Sequence, residues 1–409
     1  MTSLAGRVSA PQGTAQDGQL AGPVRKPRDP YLDNIKAVLI CLVAIGHTIG
    51  QFILAVPGAT TVYTWVYLFH MPAFVLLCGV LTTSPDIDGR RVASMVRTLV
   101  VPCAVFQVLY LAYFEHVGTQ NIAWTVDRLL TPVYHLWFLA SLFVWRVAAP
   151  FLTRLRGAVP IAVLVSLAAG LSTSLGEPLS LDRTAALLPV FVIGLVLGRR
   201  ALHLPTSPIA RVTAVAVLLG SFPAAAAFHD HFGRGWLFWR STYQQLGYGI
   251  VEGSLIRLLM LVWALLLTAA VFVLVPRRRT VLTACGEHSM YPYLLHAFLV
   301  QAFGWSHLDV TTPAQAVLAV VAAVAGTAVL ASPPVRRFSR FLVEPRSTWL
   351  LKEPARATEP RSARAWRRGP WPEGRHGTDV TPVTVTASVG RVDGRSSRLA
   401  GITSRRIDV

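Results

Sequence analysis

Charged residues are what this sequence has least of. They make up 14% of its 409 residues, where a soluble domain carries roughly 25%. Acids are the scarcer half, with 20 Asp and Glu against 38 Lys and Arg. So few charges cannot coat several soluble domains, which makes lipid the medium facing most of the chain. Cysteine is sparse too. Cys41, Cys78, Cys103 and Cys285 each lie within an apolar run and no two have metal-site spacing, so neither a disulfide framework nor a metal site is expected. The first 24 residues are polar and small, and no cleavable signal is expected there. The excess of 18 positive charges would suit a nucleic-acid partner, but the arginines cluster briefly between apolar runs. That is where a membrane protein carries them, and no nucleic-acid partner is expected.

What the sequence has in plenty is apolar runs of membrane length; a spanning helix needs roughly 20 such residues. Runs fall near 34–55, 63–83, 97–116, 135–153, 158–175, 183–198, 210–228, 255–275, 281–302 and 314–333. The fold class they predict is all-α: a polytopic transmembrane bundle of about ten helices. Basic clusters occur at every second connection, among them Arg25, Lys26 and Arg28, then Arg90, Arg91 and Arg97, then Arg277, Arg278 and Arg279. Positive-inside counting therefore puts both termini in the cytoplasm of a multi-pass plasma-membrane protein. Residues 31–340 form the expected membrane domain, with a disordered cytoplasmic segment at 1–30 and a basic disordered cytoplasmic tail at 341–409. From Arg336 onward 16 Lys and Arg face 7 Asp and Glu without sustained apolar periodicity, a composition suited to disorder and to anionic membrane lipid. The connection 229–254 holds Trp236, Trp239 and Tyr243, as expected of a segment at the interface or roofing a cavity.

Ionisable groups within a span are costly and mark function. Lys36 and His47 are eleven residues apart. At about 100° per residue this returns to the same helix face, with the two side chains about 16 Å apart along the axis. Asp33, Ile40 and Gln51 share the stripe. In the second run His70 precedes Pro72, which frees a backbone carbonyl that His70 is placed to re-satisfy. His135-Leu-Trp137 reads as an interfacial anchor. Ser289, Tyr293 and His296 share one face, and Arg183 opens the sixth run from the outer side.

Tyr31-Leu-Asp33-Asn34-Ile-Lys36 with Gly46-His47, Phe69-His70-Met-Pro72 with Gly79, Leu136-Trp137-Phe138-Leu139, Leu188-Pro189-Val-Phe191 with Gly194, and Gly286 through His296 occur in this order. Together they resemble the acyltransferase-3 family of integral membrane O-acyltransferases, with closest likeness to its fucose 4-O-acetylase-like branch. The resemblance covers about residues 30–340. It implies about ten helices, a basic residue separated by ten residues from an essential histidine, as Lys36 is from His47, and acyl-CoA as a cytoplasmic co-substrate. The acceptor it implies is a hydroxyl of a sugar, glycan or cell-envelope polymer; a small-molecule acceptor is equally open. Spacing and resemblance together assign His47 as general base or transient acyl carrier, with His70 orienting it or assisting proton transfer. Lys36, Arg90 and Arg91 are assigned to the acyl-CoA phosphates, and Asp33, Trp137, Arg183, Tyr293 and His296 to the substrates. Buried His, Arg and Glu also line transport paths, so the competing expectation is a transporter or flippase of a glycolipid or polar small molecule. A sensor or scaffold with a basic tail would leave the histidines unexplained.

Overall fold

The structure, a computed structural model, describes residues 28–82, 88–116, 124–172, 178–306 and 308–345. The expected disordered segment up to residue 27, with Arg25 and Lys26, and the basic tail beyond residue 345 lie outside the described residues. Within them the chain is helical throughout, with no strand. In order the helices are α1 (Pro30–Ile49), α2 (Ala59–Leu81), α3 (Gly89–Met95), α4 (Val101–His116), α5 (Val126–Leu130), α6 (Trp137–Leu152), α7 (Ala158–Ala169) and α8 (Leu181–Ala186). Then follow α9 (Leu188–Leu197), α10 (Pro208–Phe232), α11 (Ile250–Leu274), α12 (Val281–Glu287), α13 (Met290–Trp305), α14 (Pro313–Leu330) and α15 (Pro333–Val343).

Each of the ten expected runs contains helix, but among the described residues six helical stretches are, taken singly, long and apolar enough to cross a membrane: α1, α2, the continuous 89–116, α10, α11 and α14. This makes a multi-pass membrane protein. The remaining runs are short or broken. α6 and α7 are apolar but have 16 and 12 residues. The sixth expected run divides into α8 and α9 at Leu187, because Pro189 cannot donate back into the preceding turn. The ninth divides at His288 and Ser289 into α12 and α13. Between α3 and α4 a π-helical turn, Val96–Val100, lies just before Pro102, whose missing N–H interrupts the ladder.

The first helix is fixed at both ends by local chemistry. The Asp29 carboxylate accepts from the Tyr31 N–H, Pro30 presets the first helical φ, and Gly50 closes the helix. It therefore starts four residues earlier and stops six residues sooner than its apolar run suggests. Asn34 ties it to the 276–283 turn. Its Nδ2 donates to the carbonyls of Pro276 and Arg278, both at 2.8 Å, while Oδ1 accepts from Thr280 and Thr283. Gly286 of α12 lies against the Asp33 carbonyl so closely that a Cβ there would collide with it. Gly79 of α2 and Gly194 of α9 likewise meet backbone to backbone, and a side chain on either would strike the opposite helix. Small residues at such crossings let membrane helices gain van der Waals contact where no hydrophobic drive exists.

α15 extends three residues past the expected domain boundary and is amphipathic, a pattern the tail's composition conceals. Arg336, Arg337 and Arg340 share it with exposed Phe338 and Phe341.

Candidate active site

At the end of the bundle where α1 finishes, three histidines from distant parts of the chain converge. His47 lies near the end of α1, His296 in the second turn of α13 and His135 in the turn before α6. One ring nitrogen from each falls within 4.8 Å of the others. His135 and His296 are buried and His47 partly so.

The hydrogen bonds of this cluster fix proton positions. A neutral imidazole has one N–H and one lone pair, and the tautomer is assigned from its partners. Nδ1 of His296 lies 2.9 and 2.8 Å from the carbonyl oxygens of Pro292 and Tyr293. Carbonyls only accept, so Nδ1 carries the proton and Nε2 the lone pair. That Nε2 lies 3.0 Å from His47 Nδ1, which must then donate to it. The remaining lone pair of His47 is on Nε2. His135 has a related assignment: the Tyr110 hydroxyl donates to the Leu294 carbonyl, so at 3.4 Å it accepts from His135 Nε2–H. This leaves the buried Nδ1 of His135 an acceptor without a protein donor.

His47 and His135 line an inner cavity of about 380 Å³ together with Gln51, Tyr63, Tyr67, Tyr134, Trp137, Arg183, Phe238 and Arg240. Its walls are held firmly. Tyr63 and Tyr67 stack with ring centroids 3.9 Å apart, and the rings of His47 and Tyr134 meet in a T-shaped arrangement with centroids 4.6 Å apart. The guanidinium of Arg183 sits 5.1 Å over the Trp137 ring while its Nε donates to the Phe238 carbonyl at 3.0 Å. An outer cavity of about 400 Å³ adjoins it, lined by Arg128, Asp182 and Gln301 and sharing Pro132, Tyr134, Arg183 and Arg240 with the inner one. Both volumes are of ligand-binding size.

Four non-glycine residues have positive φ among the described residues: Tyr134, Leu179, Ser180 and Trp239, at 56°, 52°, 54° and 58°. Such conformations cost on the order of 1–3 kcal/mol each and concentrate at functional sites. Tyr134 and Ser180 line these cavities, and Trp239 lies between Phe238 and Arg240, which do. The connection 229–254 thus roofs the inner cavity through Phe238 and Arg240. It is nailed down by the Tyr243 N–H, which donates to the Gly170 carbonyl at 2.8 Å, and by buried Arg257, which donates to the carbonyls of Ser166 and Ser241.

The residues expected from sequence fall into three groups. His47, Trp137 and Arg183 meet at the inner cavity, with His296 behind His47. Tyr293 is buried beneath, its hydroxyl donating at 2.6 Å to the His135 carbonyl, so it braces the histidine turn instead of facing the cavity. His70 does not re-satisfy the carbonyl that Pro72 frees, that of Leu68. Its side chain folds back along α2, and Nδ1 lies 2.8 Å from the Val66 carbonyl, one turn earlier. The hydrogen-bond partner of His47 is His296. Lys36 and Asp33 form a 2.5 Å ion pair at the opposite end of α1, continued through Arg28 to Glu287. Arg90 pairs with Asp88 at the start of α3, and Arg91 caps onto the same carboxylate through its N–H. The sequence reading missed His135, taken as an anchor, and Tyr67, Tyr134 and Arg240. His135 and Tyr134 sit in a turn without periodicity, so no spacing signal marks them.

The histidine pocket, its fixed proton order and the adjoining arginine-lined cavity sit in a chain whose residues 29–332 match a family model described as an acyltransferase domain. The chain belongs to the acyltransferase-3 family. A relative, the nodulation protein NolL of Sinorhizobium fredii, is 29% identical over 136 residues. That alignment covers 31% of this chain and 35% of the relative, so the chain matches about a third of that relative's length. No solved structure matches. Within an acyltransferase-3 domain the arrangement can do acid–base chemistry, since a lone pair on His47 Nε2 lines a cavity roomy enough for substrate. The three ring nitrogens are also compact enough to hold a metal ion, although His47 and His296 would first have to give up their mutual hydrogen bond.

Proposed function

We propose that this acyltransferase-3 protein moves an acyl group, acetyl in the simplest case, from cytoplasmic acyl-CoA to a hydroxyl of a sugar, glycan or other envelope-related or small-molecule acceptor. The observation carrying this reading is the hydrogen-bond order carbonyl–His296–His47, which leaves the Nε2 lone pair of His47 at the inner cavity. The acceptor hydroxyl gives its proton to His47 Nε2, and its oxygen attacks the thioester carbonyl. The C–S bond breaks, and the departing CoA sulfur takes the proton back from the imidazole. The positive charge that His47 acquires in between is supported by the acceptor nitrogen of His296, itself oriented by two carbonyls, much as a third group orients the base in a catalytic triad.

The donor enters from the end of α1 that holds Lys36 and Arg28, where cations suit its phosphates. α1 runs unbroken from there to His47, about 16 Å along its axis, the order of an extended pantetheine arm. The carrying test is transfer of labelled acetate from acetyl-CoA by purified protein reconstituted in lipid. His47→Ala is expected to abolish transfer while keeping the thermal stability of the parent. Undiminished transfer in that variant, or movement of an acceptor across the bilayer without its modification, would sink the proposal.

A further inference from the structure

Acyl transfer to an acceptor free in water needs only the two polar cavities, yet a third cavity, of about 280 Å³, adjoins them between α4, α5 and α6. Its lining is apolar, with Ala104 on α4, Leu129 and Leu130 on α5, and Leu139 and Phe143 on α6. Gln107, the amide in its wall, is already engaged. Its Nε2 donates to the carbonyls of Arg128 and Thr131 at 2.9 and 2.7 Å, and its Oε1 accepts from the Val133 N–H at 2.9 Å. Those bonds also fix the 128–133 connection as a partition. Along it Arg128 and Thr131 line the outer cavity, Leu129 and Leu130 line the apolar one, and Pro132 borders all three. The same division recurs at the left-handed pair Leu179 and Ser180, the first lining the apolar cavity and the second the outer one. From the Pro132 end the apolar groove follows the chain from Gln107 back to Leu99, about 12 Å at the helical rise. Its rim is aliphatic and open, with Leu129, Leu130 and Leu179 exposed by 43%, 49% and 46%. Exposed apolar surface of this kind marks a membrane contact or a ligand groove.

We propose that the acceptor is anchored to a lipid: its hydroxyl-bearing head occupies the outer and inner cavities, and the hydrocarbon chain that carries it lies in the α4–α5–α6 groove. This deepens the reading of His47 as the acyl-transfer base and rests on it. Polar and apolar chambers that share a fixed wall match an amphiphile, whereas a sugar free in water would leave the groove unused. A chain already in the bilayer gains no hydrophobic energy on entering the groove. What it gains is van der Waals contact and direction, which hang the head at the depth of the cavities beside the base. An acyl chain on the donor is the other occupant that the chemistry allows. Acetyl carries no such chain, so acetyl-CoA removes that occupant from the test.

The test gives labelled acetyl-CoA to membranes of the protein's own cells, which hold the full-length chain and its native acceptors; membranes with His47→Ala supply the background. His47-dependent label is expected in an alkali-labile ester that binds an octadecyl matrix and elutes only with organic solvent. It is expected to fall about tenfold or more, through lost positioning, in Ala104→Phe and Ala140→Phe, which fill the groove. The melting temperature after solubilisation and KM for acetyl-CoA should stay at the parent's values, as they would not if the substitutions merely disturbed packing. Label confined to material that the matrix does not hold, or undiminished transfer in both variants, overturns the lipid anchor and leaves the acyl-transfer reading standing. Where neither variant keeps the parent's melting temperature, retention on the matrix decides alone. Absence of any His47-dependent label refutes the acyl-transfer reading. The groove is then decided by photolabelling with decyl glucoside carrying a diazirine in its chain, against a diazirine phosphatidylcholine at the same mole fraction. Stronger labelling of α4 and α6 by the glucoside, suppressed in Ala104→Phe, supports the groove. Equal labelling by the two probes means annular lipid only and overturns it.

Discussion

Nδ1 of His47 and Nε2 of His296 are 3.0 Å apart although 249 positions separate them in the chain. Because both acceptors at the far side of His296 are backbone carbonyls, the proton order of the pair does not depend on any other side chain. If His47 is the acyl-transfer base, His296 is its positioning residue, and that contribution can be measured apart from folding.

Removing the acceptor nitrogen should let the His47 ring turn and exchange tautomers. His296→Leu is expected to lower kcat by about 100-fold or more, within the range of positioned general-base catalysis, with little change in KM for acetyl-CoA. His296→Gln, whose amide oxygen can accept from His47 Nδ1, should recover part of the loss. Steady-state kinetics on the three proteins decide it. Equal losses in Leu and Gln variants would mean that His296 serves packing alone.

At the other end of α1 the Lys36–Asp33 pair is expected to serve the donor. Lys36→Gln should raise KM for acetyl-CoA by about tenfold, the value of one hydrogen bond to a charged group, and leave kcat nearly unchanged. The comparison with 3′-dephospho-CoA thioester tells whether the lost contact is to that phosphate, since the variant's deficit should then vanish.

The compact histidine triangle makes metal content a direct question. With His47 and His296 hydrogen-bonded to each other, chelation by EDTA is expected to leave transfer unchanged, and elemental analysis to find less than one metal ion per chain. Stoichiometric zinc together with loss of activity on chelation would replace the base mechanism by one in which the ion activates the hydroxyl.

The backbone contact of α2 with α9 at Gly79 and Gly194 predicts a folding defect remote from the chemistry. Gly79→Ala should cost about 1–3 kcal/mol through overpacking, seen as lower yield and a lower melting temperature. Its effect on kcat per folded molecule should be small, and an unchanged melting temperature would contradict the close crossing.

Much of the bundle is legible locally. The stripe Asp33, Lys36, Ile40 and His47 needs only the helical period, and α1 carries it unbroken because Asp29, Pro30 and Gly50 mark its ends. The broken runs were harder to read. Pro189 and the His288–Ser289 junction sit inside apolar sequence, so hydropathy ran across breaks that only the hydrogen-bond ladder records. His70 shows a different limit: its neighbour Pro72 suggested a partner for the freed carbonyl, but side-chain direction along the helix sent the ring to Val66 instead.

Composition and period by themselves determined that this chain is helical, that it lives in lipid, and that Lys36 and His47 share one face about three turns apart. Those properties depend on residues close together in the chain. The tertiary structure alone decided which histidine supports His47, that His135 joins them from a turn, and that Arg128, Arg183 and Arg240 gather in one vestibule. These contacts join segments up to 249 positions apart, and helix packing, not periodicity, brings them together.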